Sequence, residues 1–410
     1  MNCRHCRHPL HHVFLDLGHA PPSNAYLSAA DLGAPEVTFP LRLLVCEHCW
    51  LVQTQDCTRP DELFRPDYAY FSSTSSTWLE HARRYVEAMR QRLALGPGSF
   101  VVEIAANDGY LLKNFVAAGV PCLGIEPTAS TAAAAEALGI PVLREFFGEA
   151  LGHQLAAQGR QADLIIGNNV YAHVPDINDF TRGIKAALKP GGTLTLEFPH
   201  LLRLLEHTQF DTVYHEHFSY LSLHTVSRIF EAAGLRIFDV EELPTHGGSL
   251  RVFGCHAEDA RSTTTQVAAL HAQEAQHGMQ DLRTYATFQA RADRIKNDLL
   301  AFLIQQKNAG KKVAAYGAAA KGNTLLNYAG IKPDLLPFVC DAAPSKQGKF
   351  MPGSHIPILP PAALLERRPD YVLILPWNLR DEVMVQLDGI RAWDGQFVTA
   401  VPGLKTTSCQ

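Results

Sequence analysis

The chain has 410 residues, 47% of them hydrophobic, and a formal net charge of −5. That length exceeds what one core usually fills and predicts two or three domains. The acidic balance without a long Lys/Arg run argues against nucleic-acid binding, and no apolar run approaches the ~18 residues a membrane helix needs.

At the N-terminus, Cys3-x-x-Cys6 and Cys46-x-x-Cys49 repeat one spacing. Two such knuckles present four thiolates to one tetrahedral ion, so Cys3, Cys6, Cys46 and Cys49 are expected to hold a structural zinc. A redox pair or core thiols are the alternatives, and the duplication argues against both. Cys57, Cys122, Cys255, Cys340 and Cys409 are scattered and read as ordinary thiols. MNCRHCRHPLHH holds no apolar stretch, which predicts no cleavable leader and a cytoplasmic protein. Pro21-Pro22 and Pro35 are expected to break the intervening segment into loop. Residues 1–67 would then form a zinc-binding domain whose fold depends on the metal.

YAYFSSTSSTW, residues 68–78, is too polar for a core strand and too aromatic for a flexible linker. It reads as a lid over a ligand or as an ordered connector. Residues 68–259 then alternate between helix and strand. A helix is predicted over 78–95, a strand over 100–104, a helix over 110–118, a strand over 122–125 and an Ala-rich helix over 129–138. Strands over 141–143, 164–166 and 193–198 complete a doubly wound parallel sheet. Runs 235–240 and 249–253 leave no room for a crossover helix and must pair antiparallel. Class I methyltransferases end on such a pair, whereas nicotinamide-binding domains usually lack it.

Residues 260–310 are Gln- and Ala-rich and predict one or two connecting helices. Residues 311–410 start a smaller Rossmann-like domain: strand 312–316, a turn at Gly317, helix 322–328, and strands 335–340, 371–375 and 396–401.

The turn Asn107-Asp108-Gly109 follows Glu103 and opens a helix, where small residues let a cofactor approach the backbone. Glu126 stands 23 residues after Glu103, placed for ribose hydroxyls. Pro127, Asn168 and Asn169 add polar edge positions. Glycine and lysine in Gly317-Ala-Ala-Ala-Lys321-Gly are not a Walker loop, yet the helix start and Lys321 suit a diphosphate. A second nicotinamide site is the other reading of that turn.

Taken in order, the knuckles, YFSS, VEIAANDGYLL, GIEP, NNVYAHVPD, YHEHFSYLS, THGGSLR, YGAAAKGNTLLN and SKQGKFMPGSHIPI resemble the zinc-containing, S-adenosylmethionine-dependent C-methyltransferases of nucleotide deoxysugar pathways. The resemblance covers essentially the whole chain. Ala105-Ala106 departs from it, standing where the family usually has glycine and serine. The resemblance implies a class I methyltransferase domain that binds S-adenosylmethionine, with Tyr68 and Ser72 among its contacts. It also implies a C-terminal anchor for a nucleotide sugar, with Gly317, Lys321, Asn323, Thr324, Asp341, Ser345, Lys346 and Asn378 as candidates. His246, before the last strand of the first sheet, either contacts substrate or belongs to a plain Gly-Gly turn.

Tyr214-His215-Glu216-His217 is the densest ionisable cluster in the chain. Methylating carbon requires a carbanion equivalent, available beside a ketone as an enolate, and hence a base and an oxyanion donor. By resemblance His217 is the base, Tyr214 serves the oxyanion or backs up the base, and Glu216 orients substrate hydroxyl or amine groups. His173 takes a supporting acid or oxyanion role. A metal trio of His173, His215 and His217 is the competing reading. The expected partner is a dTDP-type keto sugar, with no nucleic acid or membrane and a monomeric chain. The alternatives are another carbonyl acceptor, or a zinc-ribbon binding protein on a vestigial enzyme fold.

Overall fold

The computed structural model describes residues 1–55 and 71–408. Strands β1 (His12–Ala20), β2 (Phe39–Val45) and β3 (Val52–Thr54) pair antiparallel in the N-terminal region. The stretch 21–38 that holds Pro21-Pro22 and Pro35 is without a strand, as expected, but β1 and β2 on either side of it were not foreseen. Register shifts after Val13 and Asp16 interrupt the period-two alternation of β1, which hides the strand from pattern reading.

The second sheet holds β4 (Val101–Ile104), β5 (Cys122–Ile125), β6 (Val142–Leu143), β7 (Ala162–Asn168) and β8 (Leu188–Pro199). These five are parallel. The next strand, β9 (Ser219–Tyr220), leaves this sheet and pairs with β3 instead. Strands β10 (Leu235–Leu243) and β11 (Ser249–His256) return as the antiparallel pair, giving the order β10-β11-β8-β7-β4-β5-β6. The order reverses at β4, where crevices in doubly wound sheets form.

The connector is three helices, Thr265–Gln276, Leu282–Ala286 and Phe288–Asn308. The C-terminal sheet contains β12 (Val313–Tyr316), β13 (Val339–Cys340), β14 (Ile358–Leu359), β15 (Tyr371–Ile374), β16 (Gln396–Thr399) and β17 (Lys405–Ser408). Its order is β14-β13-β12-β15-β16-β17, parallel except for the last strand. The predicted strand over 335–340 shrinks to two residues, because Pro337 lacks the donor a ladder needs.

The N-terminal region has no core to itself. Phe14, Leu15, Leu41 and Leu43 pack in one cluster with Phe288, Leu299, Leu325 and Leu373 of the connector and C-terminal sheet. Cys3, Cys46 and Cys49 join the other cluster, with Leu221, Leu223 and Val226 of the methyltransferase-like part. A region poor in aliphatic residues thus shares the burial of both neighbours. Among the described residues no helix is long and apolar enough to cross a membrane.

Candidate active site and zinc centre

The four knuckle thiols converge. Cys3 and Cys49 Sγ lie 3.4 Å apart, Cys6 and Cys46 Sγ 3.5 Å apart, and all four within 4.8 Å of one another. Sulfurs bound at ~2.3 Å to one tetrahedral ion require close to this separation, so the donor set fits zinc. Four thiolates leave no open coordination position, which makes the ion structural. Among the described residues no other cluster could hold a metal. The trio of His173, His215 and His217 is therefore excluded; His215 instead turns its Nε2 to the Phe39 carbonyl at 3.3 Å.

The loop after β4 is shaped by backbone strain. Ala105, Asn107 and Gly109 take positive φ of 57°, 49° and 77°. A Cβ on Gly109 would stand 2.4 Å from Ile140 Cδ1, so the position requires both glycine's freedom and its lack of side chain. Glu126, at the end of β5, accepts the Asn107 and Thr128 backbone N–H groups, each at 2.9 Å. Its carboxylate oxygens keep lone pairs for further donors such as ribose hydroxyls. Pro127 follows it, half-buried.

Glu103 is buried, and its Oε2 has no hydrogen-bond partner among the described residues; the same holds for Asp108 Oδ1 and both side-chain polar atoms of Asn168. Buried polar atoms are normally satisfied, so this group around a glycine turn fits a polar, cationic ligand of the S-adenosylmethionine kind. Burial, and then the neighbouring Glu126 and Asp108, hold the Glu103 carboxyl well above its usual range. The Ser72 and Ser73 amides donate to Asn107 Oδ1 and Asp108 Oδ2 at 2.9 and 3.0 Å, which brings this segment onto the loop. Tyr68 lies outside the described residues. Asn169 extends from the end of β7, where its side-chain amide donates to His246 Nε2 at 3.2 Å.

The C-terminal sheet repeats the device. Asp341, at the end of β13, accepts the Ala318 N–H at 2.7 Å, as Glu126 accepts that of Asn107. Gly317 has φ 91°, and a Cβ there would meet Pro376 Cδ at 2.4 Å. Lys346 donates to the Ala318 carbonyl at 2.9 Å and lies 3.6 Å from Asp341. Lys321 reaches from the second turn to the first sheet's last loop, donating to Asn378 Oδ1 at 2.9 Å and to the His246 carbonyl at 3.4 Å. Burial pushes its ammonium down to about 8, against the opposing pull of Asp211. Asp211 itself is pushed up to about 6 by burial and accepts the Trp377 indole N–H at 2.7 Å.

Asn323 and Thr324 lie in the first turns of the helix that follows the Gly317 turn. Both are buried, with Asn323 donating to the Ser23 carbonyl at 2.5 Å and the Thr324 hydroxyl to the Val213 carbonyl at 2.7 Å. These two donors tie neighbouring segments to the turn, and Asn323 Oδ1 has no hydrogen-bond partner among the described residues.

The histidine cluster lies between the two turns. His217 Nδ1 faces the Thr212 carbonyl at 2.9 Å. A carbonyl only accepts, so the proton sits on Nδ1 and the lone pair on Nε2. Burial, then the adjacent His173, lower the His217 pKa well below the usual imidazole value. Its ring centroid lies 3.9 Å from that of Tyr214 and 4.6 Å from that of His173. Burial likewise lowers His173 to about 4, despite a hydrogen bond with the Glu216 backbone. His246, on a strained backbone at φ 55°, is lowered to about 4 by burial and then by Lys321. Glu216 accepts from Asn24 Nδ2 at 2.7 Å.

Several functional neighbours carry no motif of their own. Asn24, Tyr26 and Thr54 come from the N-terminal region. Glu197, buried in β8, pairs with Arg251 at 2.6 Å and His81 at 3.0 Å and accepts the Thr245 hydroxyl at 3.1 Å, fixing the base of the His246 loop. Arg251 lies in the THGGSLR stretch, whereas a lone strand glutamate carries no sequence signal.

Three family models match the chain. They describe a zinc binding domain over residues 3–64, a methyltransferase domain over 78–240 and a C-methyltransferase C-terminal domain over 244–402. C-methyltransferase NovU of Streptomyces niveus is 34% identical over 408 residues, covering 100% of this chain and 97% of that protein. Solved structures with similar backbones include an S-adenosylmethionine dependent methyltransferase of Mesorhizobium loti, at 16% identity and TM-score 0.34 over 43% of this chain and 99% of that one. Magnesium protoporphyrin IX methyltransferase of Synechocystis PCC 6803 matches at 14% identity and TM-score 0.33, over 43% of this chain and 81% of that one. The full-length relation and the zinc-fitting thiols agree: the chain belongs to the zinc-containing, S-adenosylmethionine-dependent C-methyltransferases.

Proposed function

We propose that this methyltransferase acts on a nucleotide-linked keto deoxysugar, methylating a ring carbon α to the ketone by way of an enolate. The observation that carries the reading is the tautomer of His217. With its Nδ1 proton engaged by Thr212, Nε2 keeps a lone pair, and His173, His246 and Lys321 of the second nucleotide-like turn stand near that ring. A depressed pKa keeps that imidazole neutral at physiological pH, as a base must be.

In this reading His217 Nε2 takes the α-proton, and the pair left on carbon spreads to the keto oxygen. Tyr214, packed on the base, supplies a hydroxyl for that oxygen, and His173 supports it. S-adenosylmethionine supplies an electrophilic methyl group when bound. Glu103, Asn107, Asp108, Gly109, Glu126 and Asn168 would hold it. Gly317, Lys321, Lys346 and Asn378 grip the diphosphate end and Asp341 accepts from hydroxyls of the nucleotide, so that remote binding energy positions the reacting carbon.

The test is incubation with methyl-labelled cofactor, D2O and a panel of nucleotide-linked 4-keto sugars. Label transfer to carbon together with cofactor-independent deuterium exchange at the α-position is expected. Transfer without any exchange-competent carbon, or transfer only to a non-sugar carbonyl compound, overturns the reading.

A further inference from the structure

Between β1 and β2, the zinc-binding region sends a short strap, residues 21–28, out of its own sheet and against Glu216 and the turn after β12. Pro21-Pro22 restricts the backbone there. The strap is held at both ends: the Ser23 carbonyl accepts Asn323 Nδ2 at 2.5 Å, and Leu27 and Phe350 exchange backbone hydrogen bonds at 3.0 and 2.8 Å. Between these anchors two side chains reach opposite parts of the site. Asn24 Nδ2 donates to Glu216 Oε1 at 2.7 Å, and the Tyr26 hydroxyl donates to the Ala318 carbonyl at 2.5 Å.

We infer that this strap is a third wall of the acceptor site, with Asn24 positioning the Glu216 carboxylate and Tyr26 setting the distance from the nucleotide turn to the base. The inference rests on the acceptor reading above and adds a part that neither Rossmann-like unit supplies. Asn24 suits its task because a neutral amide aims a carboxylate without cancelling its charge, which leaves Glu216 able to accept from substrate hydroxyls. Tyr26 suits its task because its hydroxyl ties the strap to the nucleotide turn while Asn24, two residues before it, holds Glu216. Burial and then the carboxylates of Asp341 and Glu216 raise its pKa, so the phenol stays protonated and donates. Lys346, the second donor to Ala318, stands 5.5 Å from the Tyr26 ring, so the strap and the turn share one contact set.

The test uses the full zinc-loaded chain, with zinc content and melting temperature measured for every variant. Asn24→Ala is expected to lower kcat/KM for the keto sugar about ten- to a hundredfold, the loss of one hydrogen bond to a charged group, with affinity for the bare nucleoside diphosphate unchanged. Asn24→Asp, isosteric but carrying a like charge against Glu216, is expected to be worse than alanine. If Asn24 only fills space, Asp serves as well as Asn, and that outcome overturns the inference. Tyr26→Phe keeps the ring and is expected to weaken nucleoside diphosphate binding severalfold by calorimetry; unchanged affinity overturns its half. Should the wild-type enzyme methylate a non-sugar carbonyl compound instead, the acceptor reading falls. The same Asn24 comparison on that compound still decides the strap, since equal kcat/KM for Ala, Asp and Asn overturns it.

Discussion

The Thr54 hydroxyl donates to the His217 carbonyl at 2.7 Å, and the Thr54 amide to the Phe218 carbonyl at 3.1 Å. The last residue of a zinc-domain strand thus holds the backbone of the proposed base. Arg4, inside the first knuckle, extends the chain of contacts: its guanidinium donates to the Thr54 carbonyl at 3.0 Å and lies 5.0 Å from the Phe218 ring. Removing zinc is expected to free the knuckle and with it the β3–β9 pairing. Chelation is expected to accelerate amide exchange in residues 213–221 together with 1–55 and to lower turnover on the order of a hundredfold, the effect of a ~1 Å misplacement. Zinc restores both. Accelerated exchange confined to residues 1–55 would show the two parts to be uncoupled.

His217→Asn retains the ring's approximate place and loses the lone pair. Turnover should fall at least about a hundredfold with cofactor affinity preserved, as for loss of a general base. The pKa of His217 is lowered by burial and by His173, so its basic form persists below the ordinary imidazole range and is lost only as pH falls further. The acid limb of kcat/KM is therefore expected below about pH 6.5. A limb above that value assigns the base to another group.

Lys321 sets the alkaline side. Its ammonium titrates at about 8, so the charge facing an anionic acceptor is complete at lower pH and disappears as pH rises through that value. KM for the nucleotide sugar is expected to climb above pH 8 in the wild type. In Lys321→Arg, whose guanidinium keeps its charge, the climb should vanish even if the KM itself is poorer. An unchanged alkaline limb in that variant separates Lys321 from binding.

Gly109 tests the cofactor loop. Alanine there meets both the positive φ and the Ile140 methyl at 2.4 Å, with Ala135 atoms at 3.1 and 3.2 Å behind it. Gly109→Ala should cost about 1–3 kcal/mol of stability and weaken cofactor binding, measured by thermal unfolding and calorimetry. Wild-type values for both would mean the loop relaxes freely.

What the sequence made legible follows one rule: features carried by local spacing could be read, and features made by distant segments could not. The cysteine knuckles, the turn before Gly109, the acid at Glu126 and the antiparallel β10–β11 pair are each set by a few neighbouring residues. The N-terminal strands escaped because bulges spoil the alternation of β1, and because Leu15 and Leu43 are buried by the connector and the C-terminal sheet rather than by their own region. Thr54, Asn24 and Tyr26 are a lone threonine, asparagine and tyrosine in sequence. Only the fold brings them to His217, Glu216 and Ala318.

Glu103 should make cofactor binding proton-linked. Its carboxyl is buried beside Glu126 and Asp108, which raises its pKa well above the usual carboxylate value. Below that raised pKa the free enzyme holds the proton, and a neutral carboxyl cannot pair with the cationic groups of S-adenosylmethionine. Binding the cation restores the charged form, so a proton must leave. Affinity is therefore expected to tighten as pH rises toward the raised pKa, by up to about tenfold per pH unit, and to level off above it. Calorimetry in two buffers of different ionisation enthalpy should show net proton release on binding below the raised pKa. Glu103→Gln should bind more weakly and release none, because the amide neither titrates nor pairs. Equal proton release in wild type and variant would move the linkage to another group, and its absence in the wild type would mean that Glu103 is already ionised before the cofactor arrives.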